Sequence, residues 1–338
     1  MSEAADDEPV LEADLPICDP HHHLYDWPAG ILGLPARYLL GDFLAEIAAG
    51  GHDVTSTVFV EATAFYRNSG PEILRTLGET EFATGVAAMS ESGRYGPVHV
   101  CAGIVGRVPL IHGDAVGPAL DAHIAAAGGR FCGIRDAGPW DDDLSVPRGH
   151  TDPPKGLYAH PDFRAAFALL APRGLAFDAW QYHTQLPEVI SLADAFPGTR
   201  IVLDHVGGVL GIGPYAGRRD EIFAAWKQDL QELARRPNVW VKLGGLCQPL
   251  TPTSYHARPD KPGSEELAAA LRPYLETAIE AFGAGRAMFE SNFPVDGLSC
   301  SYRTIWNAFK RIAAGASASE KAALFHDNAY ACYGLKNG

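Results

Sequence analysis

The densest chemistry in this 338-residue chain lies near its start, in Asp19-Pro20-His21-His22-His23. In an extended segment side chains two residues apart project to the same side, so His21 and His23 face together and His22 faces away. Two imidazoles at that spacing suit either a divalent metal or a substrate oxygen. A further histidine closes the run Ile201-Val202-Leu203-Asp204-His205, where Gly207 and Gly208 behind it let backbone or ligand approach closely. The stretch Phe177-Asp178-Ala179-Trp180-Gln181-Tyr182-His183 offers His183 or Asp178, and alternation does not choose between them. Two apolar runs lead into arginines, Arg107 and Arg135, whose planar forks match a carboxylate in two hydrogen bonds and point to an anionic small-molecule substrate. Glu61, Trp140, Trp180 and Tyr182 are candidate walls of the same pocket.

Residues so far apart in sequence meet only if the scaffold brings the ends of distant segments together. Short β-branched or apolar runs recur at 16–20, 56–62, 100–108, 131–135, 175–181, 201–206, 239–243 and 287–291. Helical patterns separate them at 41–49, 70–79, 115–127, 161–170, 186–195, 220–234 and 265–281, and two more follow at 302–314 and 319–333. Eight strands each followed by a helix predict a single α/β domain, a (β/α)8 TIM barrel, over residues 15–338, behind a flexible acidic leader at 1–14. Long connections at 138–159 and 244–263, after strands four and seven, fall at the carboxyl end of such a barrel, where substrate loops belong. Histidines and arginines that end strands then converge on one mouth.

Composition narrows the function further. With 27 Lys plus Arg against 41 Asp plus Glu, the net charge of −14 argues against nucleic acid as a partner, because phosphate binding wants a basic surface. It also makes a local pair of arginines more meaningful for admitting an anion. No stretch reaches the roughly 18 apolar residues of a membrane span, and the start carries no signal-peptide pattern. Six cysteines lie scattered without a CxxC pair, which suits reduced, buried thiols and a cytoplasmic location. The apolar faces at 302–333 could pack on the barrel or form a homo-oligomer.

Three separated motifs also carry a resemblance: DxHxH (Asp19, His21, His23), LDHxG (Leu203, Asp204, His205, Gly207) and MFxSxFPVD (Met288, Phe289, Ser291, Phe293, Pro294, Val295, Asp296). Together they resemble the amidohydrolase superfamily, in the branch that includes 2-pyrone-4,6-dicarboxylate lactonase and sugar-acid lactonases, over nearly the whole chain from Ile17 to Leu335. The resemblance implies a (β/α)8 barrel and water attack on a lactone or related ester or amide, with His21, His23 and His205 as ligands wherever a metal is used. It also implies an aspartate at the end of strand eight, where this chain has Asn292. An amide is not basic at neutral pH, so Asn292 orients water or a substrate oxygen but cannot take its proton. Two residues back on the same face stands Glu290, either ligand or base, or else a buried acid held by Arg or His. Asp296 is the other acid in reach, with a helix N-cap as its plain alternative. With that aspartate missing and no lysine ending strand four, the cofactor expected is none or one divalent metal such as Zn. The reading is a hydrolase opening a lactone of a carboxylated or polyhydroxylated small molecule. A metal-dependent nonoxidative decarboxylase of aromatic acids and a non-catalytic binding protein are its rivals.

Overall fold

The structure is a computed structural model that describes residues 8–30 and 33–336. Eight parallel strands form one sheet in sequential order: β1 Ile17–His22, β2 Val54–Val60, β3 His99–Gly106, β4 Phe131–Ile134, β5 Ala176–Ala179, β6 Ile201–Leu203, β7 Val239–Leu243 and β8 Ala287–Phe289. Asn292 N donates to His21 O (3.0 Å) and His23 N to Phe293 O (2.9 Å), which joins the last strand to the first and makes the expected (β/α)8 TIM barrel. Strands buried on both faces read as near-continuous apolar runs, which is why they were legible without alternation.

Two apolar layers result from strand parity. Cys18, Val58, Val105, Cys132, Ala176, Val202 and Met288 fill the barrel interior, plugged at its amino end by Cys332 and Tyr333 of the terminal helix. A larger layer lies between the strands and the surrounding helices. The helix Tyr302–Ile312 shows the local logic: Ser301 caps it by accepting from Thr304 N, and Ile305, Trp306, Phe309 and Ile312 recur at helical spacing on its buried face. These terminal elements thus pack on their own barrel.

Two boundaries differ from the sequence reading. The helix expected over 70–79 runs instead from Leu77 to Glu91, because its buried residues Leu77, Ala83, Val86 and Ala87 lie there, while 70–74 are partly or wholly exposed. Strand six stops at Leu203 and its expected last residues form a tight turn, Asp204–Gly207, in which His205 (φ 55°) and Val206 (φ 46°) are left-handed. Of the leader expected over 1–14, residues 1–7 lie outside the described residues. Residues 8–14 are tied down rather than loose: Lys310 Nζ donates to Leu11 O and Glu12 O, and Asn307 holds Pro9 O and Leu11 N.

Candidate active site

At the carboxyl end of the barrel the distant histidines meet. His21 and His23 approach with Nε2 atoms 3.2 Å apart, and the His205 ring centre lies 4.6 Å from that of His21. The parity of β1 sends His22 the other way, stacked on Phe43 at 4.3 Å, with its Nε2 2.9 Å from Thr57 Oγ1. The left-handed turn after β6 aims His205 inward, and it depends on Gly245: a Cβ there would stand 2.0 Å from His205 Nδ1.

Glu290, on the inner face of β8, binds the histidines from behind. His205 Nδ1 donates to Glu290 Oε1 (2.7 Å), His205 N reaches the same oxygen (3.2 Å), and His21 Nδ1 lies 2.8 Å from Oε2. It is fully buried and does not border the cavity, so of the alternatives open in sequence the acid held by histidines is the one formed. Burial pushes its pKa up, but its interactions with the His205 and His21 imidazoles outweigh that and hold it at about 2.

Beneath lies a network that sequence reasoning missed. Lys242 of β7 is fully buried, with Nζ 2.6 Å from Asp178 Oδ2, 3.1 Å from Asp204 Oδ1 and 3.1 Å from His21 Nδ1. Tyr333 adds its hydroxyl to Asp178 from the amino end (2.9 Å). Burial disfavours the ammonium, yet Asp178 and Asp204 hold its pKa above the ordinary lysine value. Asp204 is held well below the carboxylate range because Lys242 and His21 overcome its burial. The available signal was a charged residue inside Val239-Trp240-Val241-Lys242-Leu243, an otherwise apolar strand.

One proton position is fixed by these contacts: His23 Nδ1 donates to Val60 O (2.8 Å), while His21 Nδ1 lies between the Glu290 carboxylate (2.8 Å) and the Lys242 ammonium (3.1 Å). Burial pushes both imidazoles down, His23 far down, so both are neutral. The His23 Nε2 lone pair therefore faces His21 Nε2 across 3.2 Å, and Arg135 Nη1 lies 3.3 Å from that same His21 nitrogen. Two nitrogens at 2.0–2.1 Å on one tetrahedral ion stand roughly 3.3 Å apart, so the pair fits a divalent metal. His21, Asp204 and His205 also offer donor atoms within 4.8 Å of one another, but Lys242 Nζ already stands against two of the three.

Above the histidines opens a cavity of about 350 Å3 walled by Tyr25, Trp27, Leu34, Trp180, Tyr182, Leu250 and Val295. Both long connections reach it, the first with Pro147, Gly149 and His150, the second with Gln248 and Leu250. His150 drops from its loop onto Glu61 (3.0 Å). Asn292 borders the cavity with Nδ2 bound to Asp296 Oδ1 (2.9 Å), which leaves its carbonyl oxygen for water or substrate. Asp296 lies behind it, fully buried and pushed up to about 7 by burial, so it orients Asn292 and does not meet the cavity.

Several side chains stand elsewhere than expected. Arg107 does not enter this cavity: it turns to Asp136 (3.5 Å) in a separate space of about 130 Å3 under the first loop. Arg135 borders the cavity, but its Nε and Nη2 are spent on Glu61 Oε1 (2.8 Å) and Glu61 O (2.6 Å), because a buried carboxylate demands a partner. His183 packs against Tyr215 (5.2 Å between ring centres) and holds the turn at Leu210 N, so it serves its loop. Trp180 and Tyr182 border the cavity as expected, Trp180 edge-on to His205 at 4.8 Å, whereas Trp140 does not.

Comparison with known proteins places this geometry. Residues 18–335 match the amidohydrolase family Amidohydro_2. The chain is 35% identical over 338 residues to y4mH, an uncharacterised protein of Sinorhizobium fredii, covering 95% of this chain and 99% of that one. It is 31% identical over 246 residues to an L-fucono-1,5-lactonase of Burkholderia ambifaria, covering 70% and 73%. Among solved structures, an amidohydrolase of Burkholderia multivorans with bound Zn superposes with a TM-score of 0.71 at 24% identity, covering 95% and 99%.

Proposed function

The chain belongs to the amidohydrolase family of hydrolases, and on that premise we propose that it opens a lactone ring with water, His205 being the base that the missing strand-eight aspartate would otherwise supply. One observation carries this reading. The His205 ring borders the cavity while its Nδ1 hydrogen is committed to Glu290, so Nε2 keeps its lone pair for a proton from water. As water adds to the lactone carbonyl, that proton passes to Nε2 and Glu290 stabilises the imidazolium. The same proton is then returned to the ring oxygen as the acyl C–O bond breaks, giving a hydroxy acid. Asn292 orients the water through its free carbonyl oxygen. A divalent metal held by His21 and His23 Nε2 supplies Lewis-acid polarisation of the carbonyl when bound. The aromatic and aliphatic walls exclude bulk water.

The substrate we propose is uncharged, in place of the anion expected from sequence. Arg107 points elsewhere and Arg135 is neutralised by Glu61, so no uncommitted cation borders the cavity among the described residues. Trp27, stacked on Tyr25 with ring centres 3.6 Å apart, borders the cavity with an aromatic surface suited to the C–H face of a hydroxylated ring. The relative named L-fucono-1,5-lactonase supports this choice over a carboxylated lactone. The test is a panel of neutral aldono-1,5-lactones and carboxylated lactones, followed by proton release. The expected result is kcat/KM at least about tenfold higher for the neutral group, one misplaced charge being worth that much. Faster turnover of the carboxylated group overturns it, as does an aromatic acid losing CO2 only when metal is present.

A further inference from the structure

A second cavity of about 390 Å3 opens at the opposite, amino end of the barrel, under the terminal helix. Its rim carries Arg130, Arg200 and Lys336 against one carboxylate, Glu91. Glu91 lies 3.1 Å from His99 and 3.7 Å from Arg130, so Arg200 and Lys336 have no carboxylate partner among the described residues. On a chain with a net charge of −14 such a surplus of cations is unexpected. Arg200 is anchored by Nη2, which donates to Gly174 O (2.7 Å), and its Nε is buried with no partner. A buried N–H without an acceptor costs on the order of 1–3 kcal/mol unless something fills the place.

Gly128 and Gly129, both left-handed at φ 58° and 86°, line the floor; a Cβ on the first would lie 3.8 Å from Arg130 Nη1 and on the second 3.8 Å from Lys336 Nζ, so two cations sit beside this one turn. Arg200, whose Nε lacks an acceptor, borders the same cavity. We propose that this is a binding site for a small oxyanion, a carboxylate or phosphate head that Arg200 and Lys336 grip together. It is distinct from the histidine cavity and does not depend on the reaction assigned there.

The test is calorimetric titration of the whole protein at low ionic strength with inorganic phosphate and, separately, with gluconate. Saturable binding of one equivalent of either is expected, the tighter of the two identifying the head. Arg200→Gln and Lys336→Gln should each weaken it at least about tenfold, as loss of a charged hydrogen bond does. Arg200→Lys should retain most of it, and His205→Gln should leave it unchanged. Lys336 is exposed, so its variant keeps the question answerable even where the Arg200 variants fold poorly. No saturable binding of either anion overturns the proposal, and so does binding lost in His205→Gln but kept in Lys336→Gln.

Discussion

Replacing Glu290 by Gln tests the dyad, because the substitution keeps shape and removes one charge between two imidazoles. In the native site Oε1 takes the Nδ1 hydrogen of His205 at 2.7 Å and Oε2 faces His21 Nδ1 at 2.8 Å. Glutamine has one acceptor oxygen, so one histidine must meet an amide N–H and turn its ring or its tautomer. When His205 gains a proton in the reaction, the charge centres of imidazolium and carboxylate lie roughly 4 Å apart, worth about 4 kcal/mol at an effective dielectric of 20. That is about a thousandfold in kcat. KM should move little, since Glu290 does not border the cavity. The assay is the initial rate of lactone opening by proton release, with circular dichroism to verify folding. Because the two residues act as one unit, Glu290→Gln combined with His205→Gln should be little worse than either alone. A folded Glu290→Gln enzyme within tenfold of wild-type kcat, or a double variant showing multiplied losses, would refute the reasoning.

Further predictions address the remaining groups. Asn292→Asp installs the acid that the family resemblance implies, yet sets it against Asp296, whose Oδ1 lies 2.9 Å from Asn292 Nδ2; like charges at that distance should lower the melting temperature above neutral pH and reduce kcat rather than raise it, and a gain in activity would contradict this. Glu79, buried and binding the N–H groups of Ala62 and Ala64, is pushed up to about 8 by burial. Its folded pKa exceeds its unfolded value near 4.5, so stability falls as pH rises from about 4.5 to 8, and Glu79→Gln should flatten the melting temperature over that range; an unchanged slope counts against it. Dialysis against Zn should load one ion per chain by elemental analysis and His23→Ala should abolish it, whereas equal loading in that variant would remove the metal from the His21–His23 pair.

Much of the barrel was legible because doubly buried strands announce themselves as apolar runs and because side chains alternate along them. That alternation placed His21 with His23, turned His22 away, and brought Glu290 onto the inner face. The arginines misled, since a guanidinium at a strand end is equally suited to a neighbouring carboxylate, and Asp136 and Glu61 are each distant in sequence or hidden by context. Lys242 was overlooked because one charge in an apolar strand reads as an edge residue until two aspartates from β5 and the turn after β6 are seen to enclose it. His183 failed for a different reason: the chain bends after Ala179, so strand parity no longer governs where its ring points.

The central claim is that water attacks the lactone carbonyl under His205. Opening an aldono-1,5-lactone in 18O-labelled water, with wild type and His205→Gln run in parallel, addresses it by mass spectrometry. One label in the carboxylate and none in the released hydroxyl, formed at least about a thousandfold more slowly by the variant, is the predicted result. Label in the hydroxyl, or a variant that matches wild type, would contradict it.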